Sequence, residues 1–124
     1  MENQLRLPVS LMGLFFLFLS TQAVSSANWQ HSGSFGIQIA QEKFGKNCGS
    51  SSSYQVDMKN NSLIGQDVQI CLLRTDGSWA CGIDSNVPPQ GTTGPSYVCQ
   101  FGGQVKTFSR QSGSKDSFPK ASSL

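Results

Sequence analysis

The chain has 124 residues, four Cys, one His and 13% charged residues, with a formal net charge of +2 at pH 7. That length holds one small domain. So mild a charge gives no electrostatic case for a nucleic-acid binder, and a single His with few carboxylates removes most standard catalytic sets.

Residues 1–27 read as an export signal. A short n-region with Arg6 precedes the apolar stretch Leu11–Leu19, and Ser25 and Ala27 supply small residues at the minus-three and minus-one places. Cleavage is expected before Asn28, with the bond after Ala23 as the alternative. A membrane span needs about 20 apolar residues, roughly twice the unbroken run here, so no stable anchor is expected after cleavage. Export to the extracellular space or a periplasm sets an oxidising compartment. Four Cys in a short exported chain then point to two disulfides.

The remainder reads as strands. Ser34–Gln41 alternates Phe35, Ile37 and Ile39 with Gly36, Gln38 and Ala40, the period-two pattern of a half-buried strand. Glu42–Ser53 is a Gly- and Ser-rich loop. Tyr54–Lys59 alternates again, with Tyr54, Val56 and Met58 on one face, and Asn60-Asn61-Ser62 marks a turn. The same three residues match an N-glycosylation acceptor, which acts only in a eukaryotic host. Gln66–Arg74 places Val68, Ile70 and Leu72 on one face and Gln69, Cys71 and Leu73 on the other.

Two hairpins follow. A three-residue turn at Thr75-Asp76-Gly77, with Gly77 left-handed, faces Arg74 to Ser78, Leu73 to Trp79, Leu72 to Ala80 and Cys71 to Cys81. A two-residue turn would put the two Cys on opposite faces. Asp84–Pro95 is a loop rich in Pro and Gly, long enough to cross between sheets. The second hairpin is expected to turn at Gly102-Gly103, facing Tyr97 to Phe108, Val98 to Thr107 and Cys99 to Lys106. Residues 111–124 are small and polar, with the composition of a disordered tail.

The expected fold is all-β: a small antiparallel sandwich or barrel of about six short strands over residues 28–110, stapled by two disulfides. Cys71–Cys81 with Cys48–Cys99 fits the hairpin register, and a nested Cys48–Cys71, Cys81–Cys99 pattern is the alternative. Leu, Ile, Val and Phe make up only about a fifth of the chain after residue 27, so a thin core would need those staples.

The chemistry is sparse. No C-x-x-C pair or Cys/His set favours a metal, no motif calls for a cofactor, and no catalytic residue is assigned. The enzyme alternative is a small secreted hydrolase or toxin-like enzyme pairing His31 with Glu42 or a nearby Asp. The favoured reading is a secreted or periplasmic binding module for a protein or a carbohydrate, as an inhibitor or an effector. Its expected contact region is the Asp84–Pro95 loop with Asp84, Asn86, Pro88 and Pro89, flanked by Trp79 and Tyr97. The stiff Val87-Pro88-Pro89 run suits an inhibitory loop.

Overall fold

A computed structural model of the protein describes residues 28–31 and 35–124. The expected export signal at 1–27 lies outside the described residues. Seven strands run in chain order: β1 (Asn28–His31), β2 (Ile37–Phe44), β3 (Tyr54–Asn60), β4 (Gln66–Arg74), β5 (Trp79–Val87), β6 (Ser96–Val98) and β7 (Phe101–Gln111). They form two sheets, a four-stranded one in the order β1-β7-β4-β5 and a three-stranded one in the order β2-β3-β6. All pairings are antiparallel except that of β1 with β7, which is parallel. A three-residue 3-10 turn at Ala121–Ser123 is the only helical segment among the described residues, and none of those residues forms a helix long and apolar enough to cross a membrane. The fold is the small disulfide-stapled β architecture that the alternation implies.

Alternation builds the core directly. Tyr54, Val56 and Met58 of β3 and Val68, Ile70 and Leu72 of β4 point into the space between the sheets and are buried, joined by Ile37, Val87, Val98 and Val105. Burying each such side chain contributes about 1.5–3 kcal/mol. In β2 a bulge between Ile39 and Gln41 shifts the register. An extra residue reverses which face the following side chains occupy. Glu42 therefore comes opposite Val56, and Phe44 opposite Tyr54, on the core side. Here the structure differs from the period-two reading: the strand starts at Ile37 and runs on through Glu42–Phe44, and Phe35 precedes it, 68% exposed.

The first hairpin forms in the expected register. Leu73 faces Trp79, Leu72 faces Ala80 and Cys71 faces Cys81, with Gly77 at a positive φ of 88°. Cys71–Cys81 and Cys48–Cys99 are the two disulfides, and among the described residues no Cys is free. Such bridges fit an oxidising, extracellular environment.

The second hairpin is overturned. β6 pairs with β3, setting Tyr97 beside Gln55 and Val98 beside Tyr54, whereas β7 pairs with β4, setting Phe108 beside Gln69, Thr107 beside Ile70 and Lys106 beside Cys71. Between Val98 and Phe101 the chain changes sheets. Gln100 accepts from the Thr75 N–H, the Phe101 N–H donates to the Ser52 carbonyl, and Cys48–Cys99 clamps the crossing. Gly102-Gly103 is a bulge in β7: Leu72 pairs with Val105, but Arg74 pairs with Phe101. A Cβ on Gly102 would sit 2.7 Å from the Arg74 carbonyl oxygen, so that backbone approach requires glycine.

Asp84–Pro95 is also corrected. Its first four residues, Asp84–Val87, belong to β5, and the irregular part begins at Pro88. That part crosses to the three-stranded sheet and is pinned along β3. The Gln90 N–H donates to the Asn60 carbonyl, the Asn60 N–H to the Gly91 carbonyl and the Thr93 N–H to the Met58 carbonyl.

The C-terminal segment makes contacts that its composition does not announce. The Gln69 side chain donates to the Pro119 carbonyl at 3.1 Å, and the Arg110 guanidinium lies 4.5 Å from the centre of the Phe118 ring. Trp79 shares a shallow cleft with Ala121, Ser122 and Leu124. Residues 118–124 thus lie over the outer face of β4 and β5. This explains why Gln69, Cys71 and Phe108, on the face away from the core, are buried.

Candidate functional site

The expected contact residues do not form one patch. Trp79 starts β5 on its outer face, with the Lys106 ammonium 4.9 Å from its ring centre. Pro88 and Pro89 follow the far end of the same strand, about 26 Å away at strand rise. Asp84 accepts the Gly94 N–H at 2.6 Å, which ties the crossing segment to β5. The Asn86 N–H donates to Asp67 at 2.9 Å, and Asn86 adopts a positive φ of 57°. Tyr97, 55% exposed, stands on the other sheet. It lines a cavity of about 230 Å³ with Ala80, Gly82, Pro95 and Ser96, floored by Ile70 and Leu72.

The carboxylates are dispersed and engaged in structural bonds. Asp67 accepts from the Asn86 N–H and pairs with Arg110 at 3.0 Å. The Asn86 N–H above all, and then Arg110, hold its carboxyl below the usual range against the opposing effect of burial. Asp76 bonds the Ser78 hydroxyl and N–H within its turn, which lowers its pKa also. Glu42 accepts from the Tyr54 hydroxyl. Burial first, and the Glu42 carboxylate second, push the Tyr54 phenol well above its ordinary value. Glu42 therefore lies in the three-stranded sheet with a partner of its own, whereas His31 lies in β1 of the other sheet, opposite Thr107. Among the described residues no group of three or more His, Cys, Asp or Glu could hold a metal ion.

What the structure does assemble is an apolar rim at one end of the sandwich. Leu63 is 91% exposed, Ile64 43% and Phe35 68%. No family model, no curated protein and no solved structure matches the chain. The rim must therefore be understood from its own geometry.

Its frame is a buried polar knot beneath the β3–β4 turn. Asn60, fully buried, donates from Nδ2 to the carbonyls of Ile64 and Val87, both at 2.9 Å. Its Oδ1 accepts from the Ser62 N–H, the Ser62 hydroxyl and the Gln66 amide. Gln66 also donates to the Phe35 carbonyl at 2.6 Å, and the Asn61 N–H donates to the Gly36 carbonyl at 2.8 Å. One network thus fixes Phe35, the 62–65 turn and the end of β5, where exposed Pro88 and Pro89 follow.

This knot revises the reading of Asn60 as a glycosylation acceptor. Nδ2, the atom that would carry the sugar, is buried and donates both protons to main-chain carbonyls. In the folded domain the three-residue match is a structural motif. Phe35, Leu63 and Ile64 were missed by pattern reading. The available signal was an apolar pair, Leu63-Ile64, inside a turn bounded by Ser62 and Gly65, where alternation has already stopped.

Proposed function

We propose that the chain is an exported, non-catalytic binding module that engages a protein partner through the rim of Phe35, Leu63, Ile64, Pro88 and Pro89. The observation that carries this reading is Leu63, 91% exposed on a turn whose backbone is held by buried side chains. Leaving aliphatic surface in water forfeits about 25 cal/mol per Å², and a contiguous exposed apolar patch marks an interaction site. Rigidity matters equally, because a loop already fixed in its bound shape loses little entropy on association. Aliphatic side chains with two prolines suit an apolar recess on a protein better than a sugar ring, which calls for a flat aromatic with convergent polar groups. The leader pattern and the disulfides support a secreted or periplasmic location, and the stiff prolines support an inhibitory or effector role.

The test is affinity capture from the extracellular fluid that the protein naturally meets, run side by side with wild type and Leu63→Asp. A partner held by wild type and lost by at least about 30-fold in Leu63→Asp, at unchanged thermal stability, supports the rim. Equal capture by both proteins counts against it. Loss of a measurable hydrolytic activity in His31→Ala would instead favour the enzyme alternative.

A further inference from the structure

The exposed edges of the two sheets are protected unequally. β2 carries Glu42, Lys43 and a bulge, and β6 is three residues long with Pro95 before it. Lysines, bulges, prolines and short length are the usual guards of an edge strand. β5 has none of them over Trp79–Asp84; its bulge lies beyond, between Asp84 and Val87, and Pro88 follows the strand. The strand is nine residues long with no Lys, Arg or Pro, and Asp84 is its single charge.

Its hydrogen bonding can be assigned from the register with β4. The Arg74 N–H donates to the Ser78 carbonyl, and Leu72 faces Ala80. In an antiparallel pair, bonded and non-bonded positions alternate. Ala80, Gly82 and Asp84 therefore bond inward to β4, and the N–H and C=O groups of Trp79, Cys81, Ile83 and Ser85 point outward. Among the described residues nothing bonds to those outward groups. Ile83 is 53% exposed, and a Cβ on Gly82 would have no atom within 4 Å. Cys71–Cys81 fastens the strand to its neighbour, so the edge is presented rigidly.

We infer that β5 is a self-pairing edge, and that two copies of this chain join β5 to β5 antiparallel, merging their four-stranded sheets into one. A single register satisfies the whole edge. With Gly82 on the two-fold axis facing Gly82, Cys81 pairs with the partner's Ile83 and Trp79 with the partner's Ser85. All the outward groups then find complementary groups, and Asp84 falls opposite the partner's Ala80. Moving the axis to Ile83 runs Trp79 onto the partner's Val87 beyond the bulge. Moving it to Asp84 sets two carboxylates directly opposite, which is unfavourable. Glycine on the axis leaves the closest pair of strands unobstructed, and Ile83 packs against the partner's disulfide. A ribbon of this length buries less than the roughly 1,200 Å² of a standard stable interface, so the dimer is a weak, concentration-dependent one. This inference does not depend on the rim. Antiparallel pairing places the two rims at opposite ends, giving a bivalent particle.

Sedimentation equilibrium on the protein, purified oxidised from an exporting host, tests it. Wild type is expected to show a reversible monomer–dimer equilibrium, and Ile83→Lys to weaken association by about tenfold or more. Gly82→Asp and Gly82→Lys are each expected to be monomeric alone and to dimerise when mixed, because only the proposed register brings residue 82 of both copies together. Circular dichroism melts close to wild type would show that the variants fold. Wild-type protein that remains monomeric at about 1 mM overturns the inference. So does a dimer indifferent to these substitutions, or a mixture of the two Gly82 variants that stays monomeric.

Discussion

Replacing Asn60 with Ala probes the polar knot that shapes the rim. The side chain makes five hydrogen bonds: two donated to the carbonyls of Ile64 and Val87, and three accepted from the Ser62 N–H, the Ser62 hydroxyl and Gln66. Some partners keep a bond, since the single Ser62 hydroxyl proton can turn from Asn60 to the Ile64 carbonyl 2.9 Å away, and Gln66 still donates to the Phe35 carbonyl. The Ser62 N–H loses its acceptor and sits in a buried residue. Each net bond is worth about 1 kcal/mol, and an orphaned buried group costs about 1–3 kcal/mol, so Asn60→Ala should destabilise the domain by about 2–5 kcal/mol. For a domain of this size that lowers the melting temperature by at least about 10 °C. The assay is a urea or thermal melt followed by circular dichroism, with Asn61→Ala as control, because the Asn61 side chain makes an exposed bond to Gln38. Asn60→Asp should also be destabilising, since a carboxylate cannot donate to the two carbonyls. A loss below about 0.5 kcal/mol in Asn60→Ala, no larger than in the control, would refute the reasoning.

Other outcomes follow from single contacts. Tyr54, raised in pKa by burial and by Glu42, stays protonated in the fold but ionises near pH 10 when unfolded. Stability should therefore be intact below about pH 10 and fall as pH rises beyond it, and Tyr54→Phe should flatten that alkaline loss in pH-dependent melts. Asp67, lowered in pKa, contributes stability that is present above about pH 4 and fades as pH falls through its folded value. Asp67→Asn should reduce that acid-side slope in the same series. Gly102→Ala should cost about 1–3 kcal/mol, read from urea midpoints, because its methyl would meet the Arg74 carbonyl at 2.7 Å; a neutral result would show that the bulge relaxes easily.

The parts of the fold that sequence alone revealed are those governed by local rules. Alternation in Tyr54–Lys59 and Gln66–Arg74 marked the inward faces, and the Thr75-Asp76-Gly77 turn fixed the register that joins Cys71 to Cys81. Gly102-Gly103 misled because two glycines suit a tight turn and a bulge equally. The choice is made by Arg74 and Leu72 on a strand some thirty residues earlier, which local pattern does not contain. The contacts of Phe118 and Pro119 were equally invisible, since a lone aromatic in a polar segment carries no period. The rim was half legible. Pro88 and Pro89 announced a stiff segment, but Leu63 and Ile64 looked like ordinary apolar residues until burial showed them facing water.

The most direct test of the account is a hydrogen-exchange footprint of the protein alone and saturated with the partner that wild type captures. Slowed exchange is expected at 35–36, 61–65 and 90–91, the amides of the rim and its frame, with little change near Trp79 and the 121–124 segment. Protection centred on Trp79 or on the β5–β6 cavity, with the 61–65 turn unchanged, would contradict it.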